Sequence, residues 1–178
     1  MARILVTGGT GYIGSHTVVE LMQSGFEVLI VDNLSNSNIQ VLDGIEKIVG
    51  RRPDFAQLNV ADLPKMRELL EKYTDIVAVI HFAASKAVGE SVEKPLLYYR
   101  NNVLSLVNLL EVMKERGITN LVFSSSCTVY GQPSKEHLPV DETAPIQPAL
   151  SPYGNTKQIN EEIIRDEAHA DSSLNAII

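Results

Sequence analysis

Short runs of mostly β-branched apolar residues alternate along the chain with stretches whose apolar positions return every three or four residues. The runs at 4–7, 27–31, 54–58, 76–82 and 120–125 predict strands, and a last strand starts at Leu174. Each run is nearly continuous rather than alternating, the pattern of strands covered on both faces of a parallel sheet. Between them, Ile13, Thr17 and Leu21, joined by Val18 and Met22, form one helical stripe, and Val103, Leu106, Leu110 and Met113 form another. Both stripes read as core rather than as a cofactor box. Such alternation predicts an α/β fold, a Rossmann-like doubly wound parallel sheet with helices on both faces. No fixed period repeats. Residues 131–150 carry Pro133, Pro139, Pro145 and Pro148, which exclude a helix interior or central strand and predict a long surface loop, usually a functional one.

Composition narrows the class. At 178 residues, 44% hydrophobic and 21% charged, the chain can build one sizeable core but hardly two, so 1–178 is expected to be one domain. A net charge of −7 without any block of Lys or Arg disfavours nucleic acid and membrane surfaces as partners. The lone Cys127 allows no intramolecular disulfide, the N-terminus enters a strand pattern without a signal-peptide core, and the apolar runs are too short to span a bilayer. A cytoplasmic location is therefore expected, and the sequon at Asn33-Leu34-Ser35 has no secretory context.

The first chemistry lies at 7–14, Thr-Gly-Gly-Thr-Gly-Tyr-Ile-Gly, which contains G-x-G-x-x-G as Gly9, Gly11 and Gly14 directly between the first strand and the first helix. Phosphate oxygens approach backbone N–H groups at a helix N-terminus only where no Cβ intervenes, so glycine is required there. A glycine-rich turn without ligand has the same bare pattern, but Asp32 ends the second strand. A carboxylate at that place accepts from the adenosine ribose hydroxyls and repels a 2′-phosphate, which favours NAD over NADP.

The second constellation, 151–157, reads Ser-Pro-Tyr-Gly-Asn-Thr-Lys, a helix start with Ser151 at the N-cap and Pro152 in the first turn. Tyr153 and Lys157 are then i and i+4 on one face, where the ammonium favours the phenolate and lowers a phenol pKa that is ordinarily about 10. The helix N-terminus acts in the same direction. Taken alone, Tyr-x-x-x-Lys also fits a surface pair. Ser124, Ser125 and Ser126 end the fifth strand, and ligands of open α/β sheets bind at carboxyl ends of strands; the Ser126 hydroxyl can relay a proton toward Tyr153 or hold a substrate oxygen. Cys127 reads as a small buried filler, since no His adjoins it, and His81 as a satisfied core residue. No metal site is expected.

Together these segments resemble the extended short-chain dehydrogenase/reductase family, and the whole chain is similar to its UDP-galactose/UDP-glucose 4-epimerases. Most specific are 81–91, His-Phe-Ala-Ala-Ser-Lys-Ala-Val-Gly-Glu-Ser, and 95–103, Pro-Leu-Leu-Tyr-Tyr-Arg-Asn-Asn-Val. The resemblance implies NAD contacts from Gly8, Gly11, Tyr12, Ile13, Gly14, Asp32, Asn33, Ser35, Asn36, Ser37, Asn59, Val60, Phe82, Ala83, Ala84, Lys86, Asn101, Tyr153 and Lys157. Substrate contacts are implied for Lys86, Ser124, Ser126 and Tyr153, and catalysis for Tyr153, Lys157 and Ser126. The implied reaction interconverts UDP-glucose and UDP-galactose by transient oxidation at sugar C4. Asn59 stands where the family usually carries an Asp that accepts from the adenine amino group; an amide oxygen can still accept. The family continues past Ile178 into another strand and a smaller domain that contacts the UDP moiety, so the chain is expected to be the NAD-binding part, with negligible turnover alone.

The resemblance also implies a homodimer through helices in 95–116 and 153–170, with Tyr98, Tyr99, Leu106 and Leu110 supplying apolar surface. A 4,6-dehydratase would need an Asp-Glu pair where Cys127-Thr128 stand. Another 4-epimerase, acting on a UDP-uronic acid, UDP-pentose or UDP-N-acetylhexosamine, stays open. So does a non-catalytic NAD-binding regulator, although it would have no need of Tyr153 with Lys157.

Overall fold

A computed structural model describes residues 2–178. Among the described residues, six parallel strands form one sheet: β1 (Arg3–Thr7), β2 (Glu27–Asp32), β3 (Asp54–Gln57), β4 (Ile76–His81), β5 (Asn120–Phe123) and β6 (Asn175–Ile177), in the order β3-β2-β1-β4-β5-β6. The chain steps outward from β1 to β3 and then returns to β1's other side to lay down β4. That reversal of strand order defines a doubly wound sheet and opens a crevice at its carboxyl edge.

Helices α1 (Tyr12–Gln23) and α2 (Val41–Val49) pack on one face, over Ile4, Val6, Val28 and Ile30. On the other face α3 (Leu63–Lys72), α6 (Leu104–Arg116) and α7 (Pro152–Ala170) cover Leu5, Leu29, Val31, Val79, Leu121 and Phe123. Two short helices, α4 (Val88–Glu93) and α5 (Pro95–Tyr98), lead through a π turn, Tyr99–Val103, into α6. The α1–α2 layer reaches only to β4, so Val122 and Ile177, register partners across β5 and β6, are 39% and 68% exposed. Helices on both faces, six strands and their positions thus agree with the expected fold, with strand ends moved by one or two residues.

Several side-chain expectations change. In α1 the buried residues are Gly14, Val18 and Met22, whereas Ile13 is 62% exposed in the first turn, beside the glycine loop rather than over the core. Cys127 is exposed, not a buried filler, because β5 ends at Phe123 and Cys127 opens a 3-10 turn, Cys127–Tyr130. Tyr98, Leu106 and Leu110 are buried inside the chain and leave no surface for a partner. His81 is the expected core residue: buried, with Nδ1 2.7 Å from Thr7 Oγ1 and its ring stacked on Phe123. Burial, and then the charge of Lys157, push its imidazole down to about 3, so it is neutral. Residues 131–150 run as a loop with one short 3-10 turn, tied to α7 by Gln158 Nε2, which donates to Gln147 O at 2.6 Å.

Candidate active site

The carboxyl ends of β1, β2, β4 and β5 and the start of α7 enclose a cleft of 390 Å³. All the residues expected to touch a cofactor line it, from Gly8, Gly11, Tyr12, Ile13 and Gly14 through Asp32 and Asn59 to Lys86, Asn101, Tyr153 and Lys157. Of the expected substrate residues, Lys86, Ser124 and Tyr153 also line it and Ser126 does not. Val31, Leu58, Ser85, Ser105 and Ser125 line the cleft without having been singled out. Ser125 lies within the serine cluster and Ser85 beside Lys86, so proximity in sequence was their available signal.

The glycine loop is packed to the limit of its backbone. Gly8 sits at φ +71, and a Cβ there would come within 2.8 Å of Ala83 N. At Gly14 a Cβ would press on the Gly8 carbonyl. Helix α1 begins without a side-chain cap on Gly11 and without an acidic residue in its first turn, leaving its N-terminal dipole to whatever the cleft holds. Asp32 is no solvated turn residue: it is buried, and its carboxylate accepts from Thr10 N (3.2 Å), Leu34 N (2.9 Å) and Ser37 Oγ (3.1 Å). It joins the glycine loop to the loop after β2 while keeping acceptor capacity. Asn59 Oδ1 accepts from Ala61 N at 3.0 Å, so only its second lone pair is available to a ligand. Uncapped helix, glycine cradle and buried carboxylate fit a dinucleotide.

On the opposite wall Ser151 caps α7 by accepting from Gly154 N at 3.1 Å. Tyr153 meets Tyr98 edge-on, with ring centroids 6.5 Å apart, and Tyr98 is held in turn: its hydroxyl donates to Glu90 at 2.9 Å and accepts from Ala87 N. One turn on, Lys157 is buried, its ammonium donating to Ser124 O at 2.5 Å and lying 4.7 Å from the centre of the Phe123 ring. Burial pushes that ammonium down to about 8, with Glu161 opposing the shift. An ammonium has three donors, so two remain for the cleft. Ser126 instead caps the 3-10 turn, its Oγ accepting from Thr128 N (3.3 Å) and Thr128 Oγ1 (3.0 Å).

Residues 4–178 match the NAD dependent epimerase/dehydratase family. Human UDP-glucose 4-epimerase is 46% identical over 99% of this chain and 51% of its own length. UDP-glucose 4-epimerase 2 of Arabidopsis thaliana is 49% identical over 98% of this chain and 50% of its own. The chain spans about half the length of the curated relatives it matches. Among solved structures, UDP-glucose-4-epimerase from Stenotrophomonas maltophila, with bound NAD and formylated UDP-arabinopyranose, superposes with a TM-score of 0.92 at 45% identity, covering 99% of this chain and 51% of that one. UDP-glucose 4-epimerase from Bifidobacterium longum, in complex with NAD+ and UDP, gives 0.94 at 42% identity, covering 98% and 51%. With the match running almost end to end, and the glycine loop, Asp32 and the Tyr153–Lys157 pair converging on one cleft, the chain belongs to the NAD dependent epimerase/dehydratase family.

Proposed function

We propose that residues 1–178 form the NAD-binding domain of a UDP-glucose 4-epimerase that interconverts UDP-glucose and UDP-galactose through transient oxidation at C4. The observation that carries this is one cleft with a dinucleotide cradle on one wall and Tyr153 with Lys157 on the other. Bound NAD supplies the hydride acceptance and return. The protein's own residues do the rest. Backbone N–H groups at the start of α1 hold the pyrophosphate, and Asp32 takes an adenosine ribose hydroxyl on the lone pair that its three internal bonds leave. Lys157 holds the nicotinamide ribose with its ammonium, one helical turn from Tyr153. Tyr153 accepts the proton of the sugar 4-hydroxyl directly; Ser126, whose oxygen already accepts twice from Thr128, has only its O–H to offer, as a donor toward a substrate oxygen. Tyr153 would also hold that proton for return to the C4 oxygen. Lys86 and Ser124 stand beside the sugar. A second reading, the same chemistry on a UDP-pentose or another UDP-sugar, is favoured by the relative that holds formylated UDP-arabinopyranose. A lone thiol and a nucleotide-sugar substrate both suit a cytoplasmic enzyme.

Calorimetric titration tests the cofactor step: the chain is expected to bind NAD+ and to prefer it to NADP+. Binding to neither, or a preference for NADP+, overturns it. Turnover of UDP-galactose by a protein containing this chain, compared with UDP-pentose and UDP-N-acetylhexosamine, separates the two readings.

We also propose a homodimer through the face of α4, α5 and α6, together with α7. Tyr98, Leu106 and Leu110 cannot serve, but Leu96 (77% exposed), Val92 (63%) and Leu104 (42%) present apolar surface on those elements. Sedimentation is expected to find a dimer that Leu96→Asp weakens. A monomer at every workable concentration counts against it.

A further inference from the structure

Glu161 is a buried charged side chain with no task in the chemistry above. It lies on α7 one turn beyond Lys157 and is 6% exposed. One carboxylate oxygen accepts from Ser125 Oγ at 2.5 Å, and the other pairs at 2.8 Å with Arg165, whose own side chain is 55% exposed. Ser125 lines the cleft, and the carbonyl of its neighbour Ser124 takes the Lys157 ammonium. The end of β5 is thus clamped to α7 at two adjacent residues, by Lys157 on Ser124 and by Glu161 on Ser125.

A buried carboxylate is costly unless bonded and balanced, and an exposed guanidinium screened by water balances it only partly. The other cation nearby is Lys157. Facing Lys157 are His81 from β4, which is neutral, the Phe123 ring from β5, and Tyr153 and Glu161 from α7, with Arg165 beyond Glu161. Burial disfavours the ammonium, and Glu161 is the negative charge that opposes it.

We propose that Glu161 is a positioning residue of this site: its buried carboxylate fixes Ser125 in the cleft wall and balances Lys157, so that Lys157 remains an ammonium beside Tyr153. The consequence for catalysis rests on the function proposed above; the electrostatic coupling does not. Replacing Glu161 by an uncharged group removes a negative charge near an ammonium, so Lys157 releases its proton at lower pH. Every property that needs the ammonium is then lost at lower pH as well.

The test is a titration of the lysine side chains of this chain by NMR, with the Lys157 signal assigned by its loss in Lys157→Arg. The parent is expected to titrate at about 8. Glu161→Gln keeps an acceptor for Ser125 but no charge, and its Lys157 midpoint should fall by about one pH unit. Should Glu161→Gln not fold, Glu161→Met, of similar size and without a buried group to satisfy, carries the same expectation. Ser125→Ala leaves the charge in place and should move the midpoint much less. A Lys157 midpoint unchanged in the folded Glu161 variants, or shifted as far by Ser125→Ala, overturns the proposal. NAD+ affinity followed against pH in the same proteins should show its alkaline loss displaced downward in Glu161→Gln. If the parent binds no NAD+ at any pH, the functional assignment fails while the lysine titration still decides the role of Glu161.

Discussion

Tyr153→Phe, made in a protein that contains this chain, is expected to lose most of its turnover while binding NAD nearly as tightly as the parent. Only the phenol oxygen is removed. The ring keeps its edge-on contact with Tyr98 and its half-buried place at the start of α7, so packing changes little. A positioned base is worth about 10²–10⁴ in rate, and a loss of that order in kcat is the expected result. NAD affinity survives because the glycine loop and Asp32 stand on the opposite wall. Lys157→Ala should differ in kind. It removes the buried ammonium that donates to Ser124 O, empties the space over Phe123 and takes away the proposed contact to the nicotinamide ribose, so turnover and NAD affinity are expected to fall together. Steady-state rates and NAD titrations on both variants check this; near-normal rates in Tyr153→Phe would mean that another group is the base.

Gly14→Ala should abolish NAD binding and destabilise the fold. A Cβ at Gly14 would overlap the Gly8 carbonyl and come within 2.9 Å of Gly9 Cα, and both are backbone atoms of the loop itself. No side chain can swing aside, so the loop must shift off α1, at a cost of about 1–3 kcal/mol for overpacking. The shift also misplaces the N–H groups proposed to meet the pyrophosphate. Gly44→Ala, in the middle of α2 with nothing within 4 Å of its Cβ, is the control and should bind NAD as the parent does with equal or greater thermal stability. Thermal denaturation with and without NAD distinguishes them. Normal NAD-induced stabilisation in Gly14→Ala would place the pyrophosphate elsewhere.

The fold and most of the site were legible in the sequence because their signals are local. Continuous apolar runs mark buried strands, the spacing of Val18 and Met22 or of Leu106, Leu110 and Met113 marks helix faces, and a glycine loop between a strand and a helix, with Asp32 ending the next strand, marks a candidate dinucleotide cradle. Ser151 before Pro152 announced the α7 cap that the structure bears out. What tertiary structure decided was which way individual side chains face. Ile13 continues the apolar stripe of α1 yet lines the cleft, because the first turn of that helix lies beside the glycine loop rather than over the sheet. Cys127 is exposed because β5 ends four residues earlier, a boundary that a run of small polar residues does not mark. Tyr98, which looked like interface, is core because its hydroxyl finds Glu90 and the Ala87 N–H inside the chain. Ser126 turned to cap its own 3-10 turn, while Ser125 took the cleft wall and the buried carboxylate of Glu161. Helical periodicity made Glu161 one more acidic residue of α7. The i, i+4 spacing already sets Glu161 one turn from Lys157; only the packing of that helix against the end of β5 buries both charges, and burial, which gives the pair its weight, is encoded in no local pattern.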